Sequence, residues 1–250
     1  MSKPLTIAIT KIGDLLLNNT ITVSENGHPI KRIKLTIPEY QRPYKWTAKN
    51  ANQLLDDIIE AKNANREVYR VGTLILHQDE NDEKVLNIVD GQQRTITFSL
   101  LLKAMGEKNI EFLQQDLAKN DFNIVNIPNN FRGLKRRVNK IGDAEEYKKL
   151  LNYIKDNCQL IVVITDDVSE AFQFFDSQNA RGKKLYPHDL LKAYHLREMN
   201  DIEVGEIEKI VKMWEELNQK ELSELFKEYL YRIKEWIKGN RSGELTEYNM

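Results

Sequence analysis

Apolar residues recur along this chain with two periods, one of helices and one of strands. Ala51, Leu54, Leu55, Ile58 and Ile59 share one helical face behind Thr47, which suits an N-cap, and this is the clearest amphipathic helix. Residues 12–17 predict a shorter helix. Residues 20–23 alternate, as do Ile33, Leu35 and Ile37, and Asn26-Gly27 suits a tight turn, so the two runs predict a hairpin that Pro38 ends. Residues 71–76 and 85–89 predict a second hairpin across the polar stretch 79–82. Its second strand runs straight into Asp90-Gly91-Gln92-Gln93-Arg94. Ile96, Phe98, Leu100, Leu101, Leu102, Ala104 and Met105 then predict a helix apolar on nearly every side, central to the core and closed by Gly106.

The next segment, about 107–157, is charged and reads as a helical insertion, with apolar positions at 113–117 and 147–154 and a loop at 126–130. Residues 160–164 form an unbroken apolar strand. Ser169 suits the cap of a helix carrying Ala171, Phe172 and Phe175, a loop follows at 178–182, and Pro187 suits the first turn of a helix reaching Met199. From Ile207 to Ile237, charge alternates with Trp214, Leu217, Leu225, Phe226, Leu230, Ile233 and Trp236 at helical spacings. Domain boundaries are therefore expected at 1–200 and 201–250, the second being the start of a helical region that packs on the first or mediates self-association.

Composition narrows the function classes. A chain of 250 residues can bury about 73% of the surface its unfolded form exposes, enough for a sizeable core. Lys and Arg number 37 against 38 Asp and Glu, so the chain is not a generally cationic coat for nucleic acid, although local basic patches remain open. Cys158 is the single cysteine, which excludes an intrachain disulfide and every multi-cysteine metal cluster. No stretch approaches the roughly 18 apolar residues of a membrane span, and no signal-peptide pattern opens the chain, so a reducing, cytoplasmic setting is expected.

The Asp90-to-Arg94 turn is the strongest site candidate. A glycine between strand and helix lets a ligand approach backbone, the helix start offers unpaired N–H groups to an anion, and Arg94 adds a bidentate phosphate donor. Asp90 suits a ribose hydroxyl, a Mg²⁺-bound water, or simply the helix cap. The segment Tyr40-Gln41-Arg42-Pro43-Tyr44-Lys45-Trp46 combines aromatics, cations and an amide. It suits either stacking of a planar base with phosphate contact or a hydrophobic staple in which Trp46 plugs the helix entry. Asn179, Arg181 and Gly182 suit a helix C-terminal turn, with Lys183 and Lys184 beside them. Lys135, Arg136 and Arg137 form another small basic patch, the usual solvated face. His28, His77, His188 and His195 form no nuclease centre, and Cys158 lacks an activating neighbour. No P-loop, dinucleotide fingerprint or nucleophile elbow is present.

Three stretches in order, Ile37 through Trp46, Val89-Asp90-Gly91-Gln92-Gln93-Arg94-Thr95, and Asn179 through Leu185 with Asp189-Leu190-Leu191-Lys192, resemble the DGQQR-motif family. That family is found at the N-terminus of GmrSD-type, type IV restriction enzymes and related phage-defence proteins. The resemblance implies an α+β fold, a ParB/sulfiredoxin-like small mixed sheet with packed helices, followed by a helical subdomain. It also implies nucleoside-triphosphate binding and hydrolysis with Mg²⁺. Gln41, Arg42, Tyr44, Trp46, Gly91, Arg94, Asn179 and Arg181 would line the nucleotide, Asp90 would position metal or water, and Gln92 and Gln93 would orient the attacking water. Lys183 and Lys184 would face DNA, phage or modified. The sequence holds no His-Asn-His nuclease motif, so cleavage is expected from a domain or subunit absent from this chain. Two other roles stay open: a nucleotide-gated module that does not hydrolyse, and a sensor in which Tyr40, Tyr44 and Trp46 receive a flipped modified base.

Overall fold

Alternation in Thr6–Lys11 (β1) buries Ala8 and Thr10 and turns Ile7 and Ile9 to the other side. Ile12–Leu17 (α1) follows directly, and Thr20–Thr22 (β2) pairs with Pro29–Lys31 (β3) as a small separate ribbon. These coordinates belong to a computed structural model that describes residues 5–22, 27–38, 41, 43–79, 81–117, 121–167, 171, 213–214, 217–237 and 239. By contacts the chain divides into two units, 1–38 with 43–175, and 39–42 with 176–250.

The first unit is a mixed α+β layer. Lys34–Thr36 (β4), Tyr69–Gln78 (β5), Val85–Asp90 (β6) and Cys158–Thr165 (β7) join β1 in a five-stranded sheet of order β1-β7-β5-β6-β4. The pairs β1·β7 and β5·β6 are antiparallel, and β4·β6 and β5·β7 are parallel. One face, with Ala8, Leu74, Leu76, Ile88 and Val162, joins the main core with the apolar residues of Ala48–Asn63 (α2), Gln92–Ala104 (α3) and Ala144–Asp156 (α5). The other face carries a small cluster of Ile75, Val89 and Ala171.

The 20–37 stretch differs from the expected hairpin. Arg32, at φ 59°, breaks the strand direction, so β2 pairs with β3 instead while β4 runs on to lie parallel with β6. The outer edge of β4 is covered by an amide. Gln115, just past a 3-10 turn at Glu111–Gln114, accepts from Ile37 N–H (3.1 Å) and donates to Leu35 O (3.4 Å), standing in for a neighbouring strand.

The helix α3 is buried nearly throughout, as its composition requires. Its hydroxyls are satisfied within the helix: Thr95, Thr97 and Ser99 donate to the carbonyls of Gly91, Gln93 and Thr95, at 3.0, 2.8 and 2.8 Å. Gly106, at φ 93°, ends it, with Gly106 N–H on Lys103 O and Glu107 N–H on Leu102 O.

Residues 126–130, expected as a loop, lie inside Asp121–Val138 (α4), which carries Pro128 in its interior. Tertiary hydrogen bonds from three asparagines, described below, outweigh the local breaker signal. In the second unit, Gln219–Glu224 (α6), a π-helical turn at Leu225–Leu230 and Tyr231–Ile237 (α7) form one run with Leu225, Tyr229, Ile233 and Trp236 exposed. The predicted helices around Ser169 and from Pro187 fall mostly outside the described residues. Among the described residues no helix is long and apolar enough to cross a membrane.

Candidate functional site

Strand β6 stops at Asp90, and Gly91 turns the chain into α3 at φ 96°, ψ 0°. Glycine is required here twice over. The positive φ is strained for any side chain, and a Cβ at this position would stand 2.9 Å from Leu74 Cδ1 and 3.1 Å from Thr73 O. The turn therefore presses directly on the backbone of β5. That part of β5 is irregular, with a register shift between Arg70 and Gly72, where Gly72 sits at φ 130°.

Arg94, in the first turn of α3, folds back onto this irregular stretch. Its Nη2 donates to Thr73 O at 2.8 Å and stands 3.8 Å from Asp90 Oδ2, while the guanidinium plane occupies the space a Cβ on Gly72 would need. Nε of Arg94 is buried and without a hydrogen-bond partner. Asp90 and Arg94 each keep part of their side chain in solvent, 25% and 30%.

The electrostatics of this helix start favour an anion. The N-cap residue of α3 is Gly91, which has no side chain to cap it, and the first turn of the helix contains no acidic residue. Placing Arg94 at the positive end of the helix dipole is unfavourable by about 0.3–1 kcal/mol for the protein alone. Gln92, only 5% exposed, leaves its Oε1 buried with no donor. An unpaired buried carbonyl of this kind costs about 1–3 kcal/mol unless a ligand or water supplies the missing donor.

Gln93 has a different task. Its Oε1 accepts from the backbone N–H of Lys45 (2.9 Å) and Trp46 (3.1 Å), and its Nε2 donates to Pro43 O (3.1 Å). From the opposite side, α4 contributes Asn123, whose Oδ1 accepts from Tyr44 N–H (2.7 Å), and Asn126, whose Nδ2 donates to Tyr44 O (2.9 Å). Asn130 Nδ2 donates to Trp46 O (2.8 Å) and to the Tyr44 hydroxyl (2.7 Å). Four amide side chains thus hold the extended 43–46 segment as sheet neighbours would.

Tyr44 is at the centre of this clamp and fully buried, its hydroxyl also 2.8 Å from Thr97 Oγ1. Burial raises its phenol pKa against the opposing effect of these two hydrogen bonds. Its ring is enclosed and presents no face to a base. Trp46 is half-buried against the core, and Lys45 is exposed.

The structure therefore brings together Asp90, Gly91, Gln92 and Arg94, with Gln93 beneath them gripping the segment of Tyr44 and Trp46. Gln41 belongs by contacts to the second unit. Tyr40, Arg42, Asn179, Arg181, Lys183 and Lys184 lie outside the described residues. Among the described residues no three His, Cys, Asp or Glu side chains form a metal-binding group. Cys158 is buried, and its thiol pKa is pushed up to about 12 by loss of solvent, an inert cysteine.

Sequence reasoning missed Gly72, Thr73 and the three asparagines. A glycine inside a strand pattern was the available signal for the first. Spacing of Asn123, Asn126 and Asn130 at three and then four residues was the signal for the last, hidden by the Pro128 between them.

Comparison with known families places the motif in context. The family model described as GmrSD restriction endonuclease, N-terminal domain, matches residues 18–196, and a family of unknown function matches residues 206–250. No curated protein matches the chain. The first match covers well over half of the chain and contains the whole Asp90-to-Arg94 turn, so the chain belongs to the GmrSD restriction endonuclease N-terminal domain family.

Proposed function

We propose that this chain binds a nucleoside triphosphate on the Asp90-to-Arg94 turn and hydrolyses it with Mg²⁺, as the nucleotide-handling part of a cytoplasmic restriction system directed at phage or modified DNA. Cutting would fall to a nuclease domain or subunit outside this chain. The observation that carries the reading is the pairing of a glycine-started helix, with no acid in its first turn, with Arg94 and a buried, donorless Gln92 Oε1. The phosphates of a nucleoside triphosphate suit the helix start and Arg94, and a hydroxyl of the same ligand or a bound water supplies the donor that Gln92 Oε1 lacks.

In this reading the first-turn N–H groups of α3 and the outer edge of the Arg94 guanidinium receive phosphate oxygens. Gln92 Oε1 accepts from a ligand hydroxyl or a bound water. Asp90 would hold Mg²⁺ through one carboxylate, which suffices when phosphate oxygens and water complete the shell. Bound Mg²⁺ would supply neutralisation of phosphate charge. Gly72 and Thr73 keep Arg94 facing the turn, and Gln93 keeps the neighbouring segment fixed while phosphate charge shifts.

The engagement of Gln93 with three backbone groups favours a second reading, binding without rapid turnover, because it leaves Gln92 as the one motif amide for orienting water. Phosphate release from each of the four nucleoside triphosphates with Mg²⁺, measured for the chain, for Asp90→Asn and for Arg94→Ala, separates the two. Turnover lost in both variants supports hydrolysis at the turn. Calorimetric binding without turnover supports the gated module, and neither binding nor turnover contradicts both.

A further inference from the structure

We propose that the outward face of α4 is a contact surface for the phosphodiester backbone of duplex DNA, separate from the nucleotide turn and independent of it. The chain is balanced overall, at a net −1, yet residues 122–142 contain Arg132, Lys135, Arg136, Arg137 and Lys140 and no carboxylate.

The structure sorts these five cations. Asn123, Asn130, Leu134 and Val138 are buried and turn one side of α4 inward. Lys135 is tied down, its Nζ donating to Ala104 O at the end of α3 (2.8 Å), and Arg137 is neutralised by an ion pair with Asp56 on α2. Arg132 and Arg136 remain on the side of α4 away from the core, one turn apart and exposed, and exposed Lys140 follows in the turn just past the helix end. Arg132 bonds only neutral groups, Pro128 O and Asn129 Oδ1, both at 3.2 Å. Among the described residues no carboxylate pairs with any of the three.

Unlike Lys62, Arg137, Lys149, Lys155 and Arg232, which have acidic partners, these three cations stand in a stretch of sequence that holds no carboxylate. Arg132 and Arg136 are about 6 Å apart along the helix axis, and Lys140 extends the row past the helix end. Phosphates along one DNA strand advance about 3.4 Å each, which places two or three within reach of the three long side chains. Lys103, whose Nζ lies 5.9 Å from the Phe131 ring centroid, adds a cation on the flank. A contact made through phosphates alone is indifferent to base sequence. Ile124 and Val125 are also exposed on α4, which makes an anionic membrane surface the rival partner.

The test uses the full chain and a fluorescent duplex of about 30 base pairs, with affinity measured from low to moderate salt. The expected slope of log affinity against log salt falls by about 2–3 in the triple variant Arg132→Gln, Arg136→Gln, Lys140→Gln, as three phosphate contacts at roughly 0.9 each require. Low-salt affinity should drop at least tenfold. Glutamine keeps helix propensity, and circular dichroism together with unchanged nucleotide titration verifies the fold. An unchanged slope in the variant overturns the proposal, as does failure of the parent chain to bind duplex. Binding to anionic vesicles without duplex binding also overturns it, in favour of a membrane surface. Because the readout is DNA affinity, a chain that binds no nucleotide still leaves this test intact.

Discussion

The guanidinium of Arg94 lies over the α-carbon of Gly72, so that a methyl group on residue 72 would stand 2.7 Å from Cζ of Arg94. This packing, with the bond to Thr73 O, fixes the arginine at the first turn of α3 rather than letting it extend into solvent. The bare backbone of β5 is thus part of the site, and glycine at 72 is needed as much for the arginine as for its own φ of 130°.

Gly72→Ala should therefore do two things at once. It strains the backbone and evicts the guanidinium, lowering stability by about 1–3 kcal/mol. It should also weaken nucleoside-triphosphate binding, although residue 72 touches no ligand in this account. Urea unfolding and calorimetric titration of the same sample measure both effects, and wild-type affinity in a folded Gly72→Ala protein would separate Arg94 placement from binding.

Gln93→Ala should leave Lys45 N–H, Trp46 N–H and Pro43 O without their partner. Each is a backbone group in a partly buried setting, so a loss of about 2–5 kcal/mol is expected. Gln93→Glu restores the acceptor but not the donor and should recover part of that loss. Equilibrium unfolding followed by circular dichroism reports the difference, and equal stability of all three proteins would refute the clamp.

Asn130 and Tyr44 form the other side of that clamp. Tyr44→Phe removes a hydroxyl shared between Asn130 and Thr97, with an expected cost of about 1–2 kcal/mol, because Asn130 keeps Trp46 O and Thr97 keeps Gln93 O. Tyr44→Ala should cost more, about 3–5 kcal/mol, by opening a cavity under α3. Comparable destabilisation by the two substitutions would argue against burial of the ring.

Cys158 offers a check by chemistry and by pH. Its thiol, buried at the start of β7, should resist disulfide reagents in the native chain and react on unfolding. The unfolded thiol titrates near 9.0 and the folded one near 12, so the folded state holds the extra proton between them. Stability should fall as pH rises through that window, by up to about 1.4 kcal/mol per pH unit from this group, and Cys158→Ala should remove that contribution. Rapid labelling of native protein at pH 8 would contradict the buried placement.

Much of this architecture was legible in sequence because it follows local periodicity. The helices α2 and α3, the β5·β6 hairpin and the Asp90-to-Arg94 strand-turn-helix all carry their patterns within a few residues. What escaped was decided at distance. The strand β1 alternates plainly but is too short to be recognised without β7 beside it. Residues 34–36 fit a hairpin as well as a parallel edge, and only the reversal at Arg32 decides. Within the site, the charge of Arg94 and the need for Gly91 could be read from residue type, but the use of Gln93 and the enclosure of Tyr44 could not. Both depend on α4, where Pro128 conceals a helix whose asparagines find partners about 80 residues away in sequence.

Calorimetric titration of Mg²⁺-nucleotide into the chain and into Arg94→Ala decides whether the Asp90-to-Arg94 turn receives a nucleoside triphosphate. Loss of a charge-assisted phosphate contact should weaken binding by roughly 10- to 100-fold while circular dichroism stays unchanged. Equal affinity in a folded Arg94→Ala protein would contradict the assignment of this turn as the phosphate site.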